Sequence, residues 1–187
     1  MGLSFDQLSD EAKAKVIEDY REHSIDWDWQ QDTLDYFVGE KYPHIKDMNV
    51  SFSGFWSQGD GASFTGWLPY EWVKENILSE AQKILIRDID CDFVRSRASR
   101  YVHQHSVSSD LEITYALHIE ENEILCEEIG TGLYNEIEGA IEEYRLEVCN
   151  DIYSQLQKEY EYRQSEENVS EWAECNEMLF EENGEIV

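Results

Sequence analysis

Leu133, Ile137, Ile141, Tyr144, Val148, Ile152 and Leu156 recur every three or four residues, the interval that returns side chains to one face of an α-helix. The stretch after Glu120 is therefore expected to be a long helix with one buried stripe. Gly130, Gly132 and Gly139 interrupt it, and a break is expected near Gly130. Between the apolar positions the side chains are mostly acidic. From Glu120 to Val187 there are 21 Asp+Glu and 3 Lys+Arg, while residues 1–119 hold the other 21 acids and 11 bases, giving −28 in all. Such a chain repels nucleic acid and anionic membrane and attracts basic protein surfaces. Aromatic residues at 13% and hydrophobic residues at 41% exclude a disordered acidic tail.

Within the helix, Glu143, Glu147 and Asp151 step by four, which sets their carboxylates about 6 Å apart along one face. Phosphates follow one another along a nucleic-acid strand at about 6–7 Å, so a rigid row of this kind can replace a DNA backbone in a basic groove. Glu138, Glu142, Glu143, Glu147 and Asp151 are the expected partner-binding residues. The competing reading is a plain solvated helix face.

Upstream, Ser9 is an N-cap ahead of Asp10 and Glu11, and Ala12, Val16, Ile17 and Tyr20 carry a helix to about His23. Leu34, Phe37 and Val38 mark a second helix ending before Tyr42-Pro43. The period then changes to two: Val50 and Phe52, the Gly59-Asp60-Gly61 turn, and Ala62 to Trp67 predict a hairpin. A helix is expected from Pro69 through Leu85. A second hairpin is expected from 100–106 and 111–119 around Val107-Ser108-Ser109-Asp110, with Leu111, Ile113, Tyr115, Leu117 and Ile119 on one face. Ser165 starts a short helix through Trp172, and Met178 to Val187 reads as a small hairpin around Asn183-Gly184. The expected class is α+β: a small antiparallel sheet of two hairpins packed with several helices, including the long acidic C-terminal one. With no Pro/Gly/Ser-rich linker, residues 1–187 are expected to be a single domain.

Three constellations carry chemical possibilities. Gly59, Asp60 and Gly61 offer backbone N–H groups for an anion or a carboxylate for acid work, but turn chemistry accounts for them. His103 and His105 are two apart on a predicted strand with Glu112 expected opposite, a face able to hold a metal or transfer protons. Arg95, Arg97 and Arg100, with Arg87 before them, are interleaved with Asp88, Asp90 and Asp92 and are expected to pair with the acidic third. Cys91, Cys126, Cys149 and Cys175 are too widely spaced for a metal knuckle, and reduced thiols are expected. No signal-peptide pattern, myristoylation signal or run of about 18 apolar residues is present, so neither a lipid anchor nor a membrane span is expected.

The run Ser53-Gly54-Phe55-Trp56-Ser57-Gln58-Gly59-Asp60-Gly61-Ala62-Ser63-Phe64-Thr65-Gly66 resembles a signature of proteins from tailed bacteriophages and prophages, some labelled antitoxin-like. Leu156, Glu159-Tyr160-Glu161-Tyr162, Ser165, Glu171, Asn176, Phe180 and Asn183-Gly184 resemble the tail of the same group. The resemblance implies an accessory phage protein acting in the host cytoplasm. It brings no catalytic residue with it.

These observations lead to a non-enzymatic, phage-encoded interaction protein. Its acidic surface would bind and inhibit a basic, nucleic-acid-binding host defence protein as a DNA mimic. No cofactor and no direct contact with nucleic acid or membrane is expected, and the long helix also allows a homodimer. The alternatives are a metal-dependent enzyme or metal-binding protein using His103, His105 and Glu112, and an antitoxin-like module that neutralises a partner protein.

Overall fold

A computed structural model describes residues 2–26, 28–96, 101–116 and 123–187, apart from the side chains of 123–129. Among them are one four-stranded antiparallel sheet and six α-helices, an α+β architecture. Arg97, Arg100, Leu117, His118 and Ile119, and the Cys126 side chain, lie outside the described residues. The chain forms two compact units, Met1–Thr33 with Gln155–Val187, and Leu34–Ser154.

The sheet belongs to the second unit and runs β1-β2-β3-β4 in chain order. β1 (Lys46–Phe52) and β2 (Ala62–Trp67) form the expected first hairpin, with Phe52 opposite Ala62. β2 is central, and Ala62, Ser63 and Phe64 are all buried, so its start is covered on both faces. β3 (Ile86–Arg95) was hidden by its charge. Ile89, Cys91 and Phe93 point inward while Asp88, Asp90 and Asp92 point to solvent, an alternation as regular as any in the chain. β4 (Val107–Tyr115) pairs with β3 from Arg95↔Val107 to Ile86↔Tyr115.

The second hairpin is therefore not the expected one. Ser108, Ser109 and Asp110 are strand residues, not a turn, because Val107 and Leu111 are buried on either side of them. His103 precedes a short 3-10 turn at Gln104–Ser106 instead of lying in a strand.

Helix positions were legible where caps are local. The expected helix from Pro69 to Leu85 is two: α3 (Tyr70–Asn76) and α4 (Glu80–Leu85). Ser79 separates them as an N-cap, accepting from Gln82 N–H while its own N–H donates to Gln82 Oε1 at 2.8 Å. Ile84 on α4 is 74% exposed. α2 (Gln31–Tyr36) passes into a π-turn at Phe37–Lys41, closed by Tyr42 N–H to Phe37 O at 2.9 Å. That wider turn rotates Val38 outward while Phe37 stays buried.

The long helix α5 (Glu123–Arg163) is continuous through Gly130, so the expected break is absent. Gly132 and Gly139 face open space, where a glycine weakens a helix without breaking it. Leu133, Ile137, Ile141, Val148 and Ile152 are buried as their spacing predicts. Tyr115 Oη donates to Gly130 O at 3.0 Å and Ser109 N–H donates to Glu142 Oε1 at 2.6 Å, fixing the helix against β4.

In the other unit, Ser9 caps α1 (Asp10–Tyr20) and Ser165 caps α6 (Glu166–Cys175), each accepting an N–H three residues on. Phe5, Leu8, Ala12 and Val16 share a core with Val169, Ala173 and Phe180. The C-terminal hairpin forms with Phe180 opposite Ile186, and Phe180 also bridges Leu3, a contact the sequence did not suggest.

Candidate functional site

Two of the sequence motifs meet at one cavity. Residues from three segments, 58–62, Tyr101 with 103–105, and 149–150 with Tyr153, line a space of about 440 Å³, within the size range of small-ligand clefts. All three segments belong to the sheet-bearing unit.

The loop 53–61 is built by its own turn chemistry. Asp60 Oδ2 accepts the N–H groups of Ser57 at 2.7 Å and Trp56 at 3.1 Å, so this carboxylate is part of the scaffold. Gly54 and Gly59 hold φ of 115° and 94°, which favour glycine. Gly59 is also required by crowding, because a Cβ there would stand 2.5 Å from Tyr101 Cδ1. At Gly61 a Cβ would stand 2.8 Å from His103 Cβ. The glycines thus serve close approach of the loop to the 101–103 segment, a reason that turn chemistry alone did not supply.

On the opposite wall, Tyr101 stacks on His103 with ring centres 5.8 Å apart, and His103 meets His105 edge-on at 5.8 Å. His103 Nδ1 accepts the His105 N–H at 3.1 Å, which puts the proton of a neutral His103 ring on Nε2. The helix contributes Cys149, Asn150 and Tyr153. Burial pushes the Cys149 thiol up to about 11, so it is no thiolate at neutral pH. Tyr153 packs on Phe55 at 5.4 Å and donates to Phe55 O at 3.4 Å.

Arg145 ties this wall to the helix. Its Nη1 donates to Gln104 O, and its Nε and Nη2 donate to Glu142 Oε2 at 2.8 and 2.7 Å. Only 3% of the residue is exposed. Burial pushes the Glu142 carboxyl up, but the Arg145 guanidinium and the Ser109 N–H outweigh it and hold the group below its usual value. Sequence reasoning missed Arg145. The available signal was the first base of an acidic helix, three residues after a glutamate.

The expected metal face is not assembled. Glu112 lies on the solvent side of β4 opposite Asp90, whereas His103 and His105 line the cavity. Among the described residues no group of three His, Cys, Asp or Glu side chains could hold a metal ion.

The expected acidic row is likewise divided. Glu142 is engaged by Arg145 and Ser109, and Asp151 accepts from Lys41 Nζ at 2.6 Å and Tyr42 Oη at 2.7 Å. Glu138 is half-buried and accepts from Tyr134 Oη at 3.4 Å. Glu143 and Glu147 are exposed and have neither a hydrogen bond nor an ion pair among the described residues. Arg87 and Arg95, expected to pair with the acidic third, form no ion pair among the described residues.

A second group of carboxylates was not anticipated. Asp90 stands directly opposite Glu112, and Asp92 directly opposite Asp110, all four exposed on the solvent face of β3 and β4. Facing side chains in such pairs have Cβ atoms about 4.5–5.5 Å apart, and like charges in that position destabilise a sheet. Burial first, then the Asp90 and Asp110 carboxylates, raise the Asp92 carboxyl above its ordinary value.

No helix among the described residues is long and apolar enough to cross a membrane. No curated protein and no solved structure matches the chain. A family model does match residues 20–166, more than half of the sequence, and the chain therefore belongs to the family described as Domain of unknown function (DUF8835).

Proposed function

We propose that the protein is a non-enzymatic interaction protein that binds a basic protein surface through its exposed carboxylates. The observation that carries this reading is the four-carboxylate face of β3 and β4, where Asp90↔Glu112 and Asp92↔Asp110 set like charges directly across the ladder. A sheet gains nothing from that arrangement by itself. A basic partner relieves the repulsion, so part of the folding penalty returns as binding energy. The exposed Glu143 and Glu147 on α5 extend the same chemistry along a helix held in place by its buried stripe.

The net charge of −28 favours a partner that itself carries a strongly basic groove, as nucleic-acid-binding proteins do. Rigid carboxylates at fixed spacing suit such a groove as a mimic of DNA. The phage resemblance of the Ser53–Gly66 run supports a host protein as the target and the host cytoplasm as the setting.

The test is capture of partners from host lysate on the immobilised chain, followed by salt titration of the recovered complex. Affinity should fall steeply as ionic strength rises. It should also fall when Asp90→Asn, Asp92→Asn, Asp110→Asn and Glu112→Gln are combined. Binding indifferent to both salt and these substitutions would sink the reading.

A further inference from the structure

The cavity beside the Gly59 loop bears on how such a partner is recognised. Its lining offers the phenol rings of Tyr101 and Tyr153, the imidazoles of His103 and His105, and the side-chain amide of Asn150. Among the described residues no lysine or arginine lines it. Asn150 follows Glu143 and Glu147 at i+7 and i+3 on α5, and all three residues are exposed, so the exposed carboxylates of the helix lead to the cavity-lining Asn150.

Two residues before the lining Gln58, Trp56 is 74% exposed although its loop is well anchored. Asp60 clasps the Trp56 and Ser57 N–H groups, and Phe55 is turned inward onto Phe52 and Tyr153 at 4.9 and 5.4 Å. The loop therefore holds one aromatic ring in and presents its neighbour to solvent. A large exposed aromatic on a pre-ordered loop beside a cleft is the arrangement of an interface anchor, where little ordering entropy is left to lose.

Charge selects the ligand. A chain at −28, with acidic residues approaching the mouth and no lysine or arginine among the described lining residues, disfavours anions and favours a cation. Ring walls and amide oxygens suit a guanidinium better than an ammonium. The guanidinium is flat, is weakly hydrated, stacks on aromatic faces and donates several hydrogen bonds in one plane.

We infer that this cavity is the recognition pocket for an arginine side chain of the basic partner, with Trp56 packing against the residues beside that arginine. The inference rests on the acidic-face reading for the kind of partner, but it makes a separate claim about where specificity lies.

The experiment uses the full chain and two kinds of probe. In the first arm, N-acetyl-arginine amide and N-acetyl-lysine amide are titrated separately while the histidine ring signals are followed by NMR. The arginine probe should shift His103 and His105 and the lysine probe should not. In the second arm, affinity for an arginine-rich peptide is measured for the native chain, for Trp56→Ala and for Asn150→Lys, with thermal melting as the check on folding. Both residues are exposed, and each change should weaken binding roughly tenfold without lowering the melting temperature.

Histidine signals that ignore the arginine probe would overturn the pocket, as would peptide binding unchanged in both variants. If the four-carboxylate neutralised variant loses the peptide while the pocket variants keep it, the acidic face stands and the pocket falls. If the arginine probe binds normally and no basic protein is captured in a salt-sensitive way, the pocket stands and the acidic-face reading falls.

Discussion

Two groups of carboxylates in the sheet-bearing unit have opposite fates. On α5, Glu142 and Asp151 are satisfied within the fold, the first by buried Arg145 and the Ser109 N–H, the second by Lys41 and Tyr42. On β3 and β4, Asp90, Asp92, Asp110 and Glu112 face each other across the ladder. The first group holds the chain together and the second pushes it apart. A count of acids, or their helical spacing, does not separate these roles. What each carboxylate faces does.

The largest expected effect comes from breaking the satisfied group. Arg145→Ala leaves a half-buried Glu142 carboxylate and the Gln104 carbonyl without their guanidinium, and should lower stability by about 3 kcal/mol in urea denaturation. Replacing both partners, as Arg145→Met with Glu142→Leu, should recover much of the loss. If the double variant is no better than the single one, the link from Arg145 to Gln104 outweighs the ion pair.

The opposite sign is expected on the sheet. The folded Asp92 carboxyl is raised, so its favourable contribution is present below the unfolded carboxylate value and is lost as pH rises through the folded value. At neutral pH the residue therefore works against folding. Asp92→Asn should increase stability there by a few tenths to about 1 kcal/mol, and the gain should vanish as pH falls through the carboxylate range. A gain that persists at low pH would trace the effect to something other than charge.

The smallest effect should come from Glu143→Gln with Glu147→Gln, within about 0.5 kcal/mol of the native chain in the same denaturation series. Both side chains are exposed and unpaired among the described residues, so a larger loss would show that the helix depends on them.

The sequence revealed what local rules determine. Ser9 and Ser165 announce their helices because a cap needs only the next three residues. The stripe from Leu133 to Leu156 announces α5 because periodicity survives any charge on the other face. β3 was missed for the converse reason: Asp88, Asp90 and Asp92 disguise as a charged linker what Ile89, Cys91 and Phe93 mark as a strand. The start of β4 was missed because Ser-Ser-Asp is turn chemistry by composition, and only pairing with β3 makes it a strand. The cavity was out of reach, since it joins segments about 40 residues apart along the chain. Even so, its glycines and histidines stood out one motif at a time.

The composition of the first unit has a consequence for biosynthesis. Its core joins Phe5, Leu8, Ala12 and Val16 to Val169, Ala173 and Phe180. On the ribosome, α1 must therefore wait until Val169, Ala173 and Phe180 have been made before its apolar face finds these partners. The sheet-bearing unit, enclosed between those segments in sequence, can close first. Until residue 180 emerges, the apolar face of α1 stays unsheltered, and this interval is when a chaperone has most to hold.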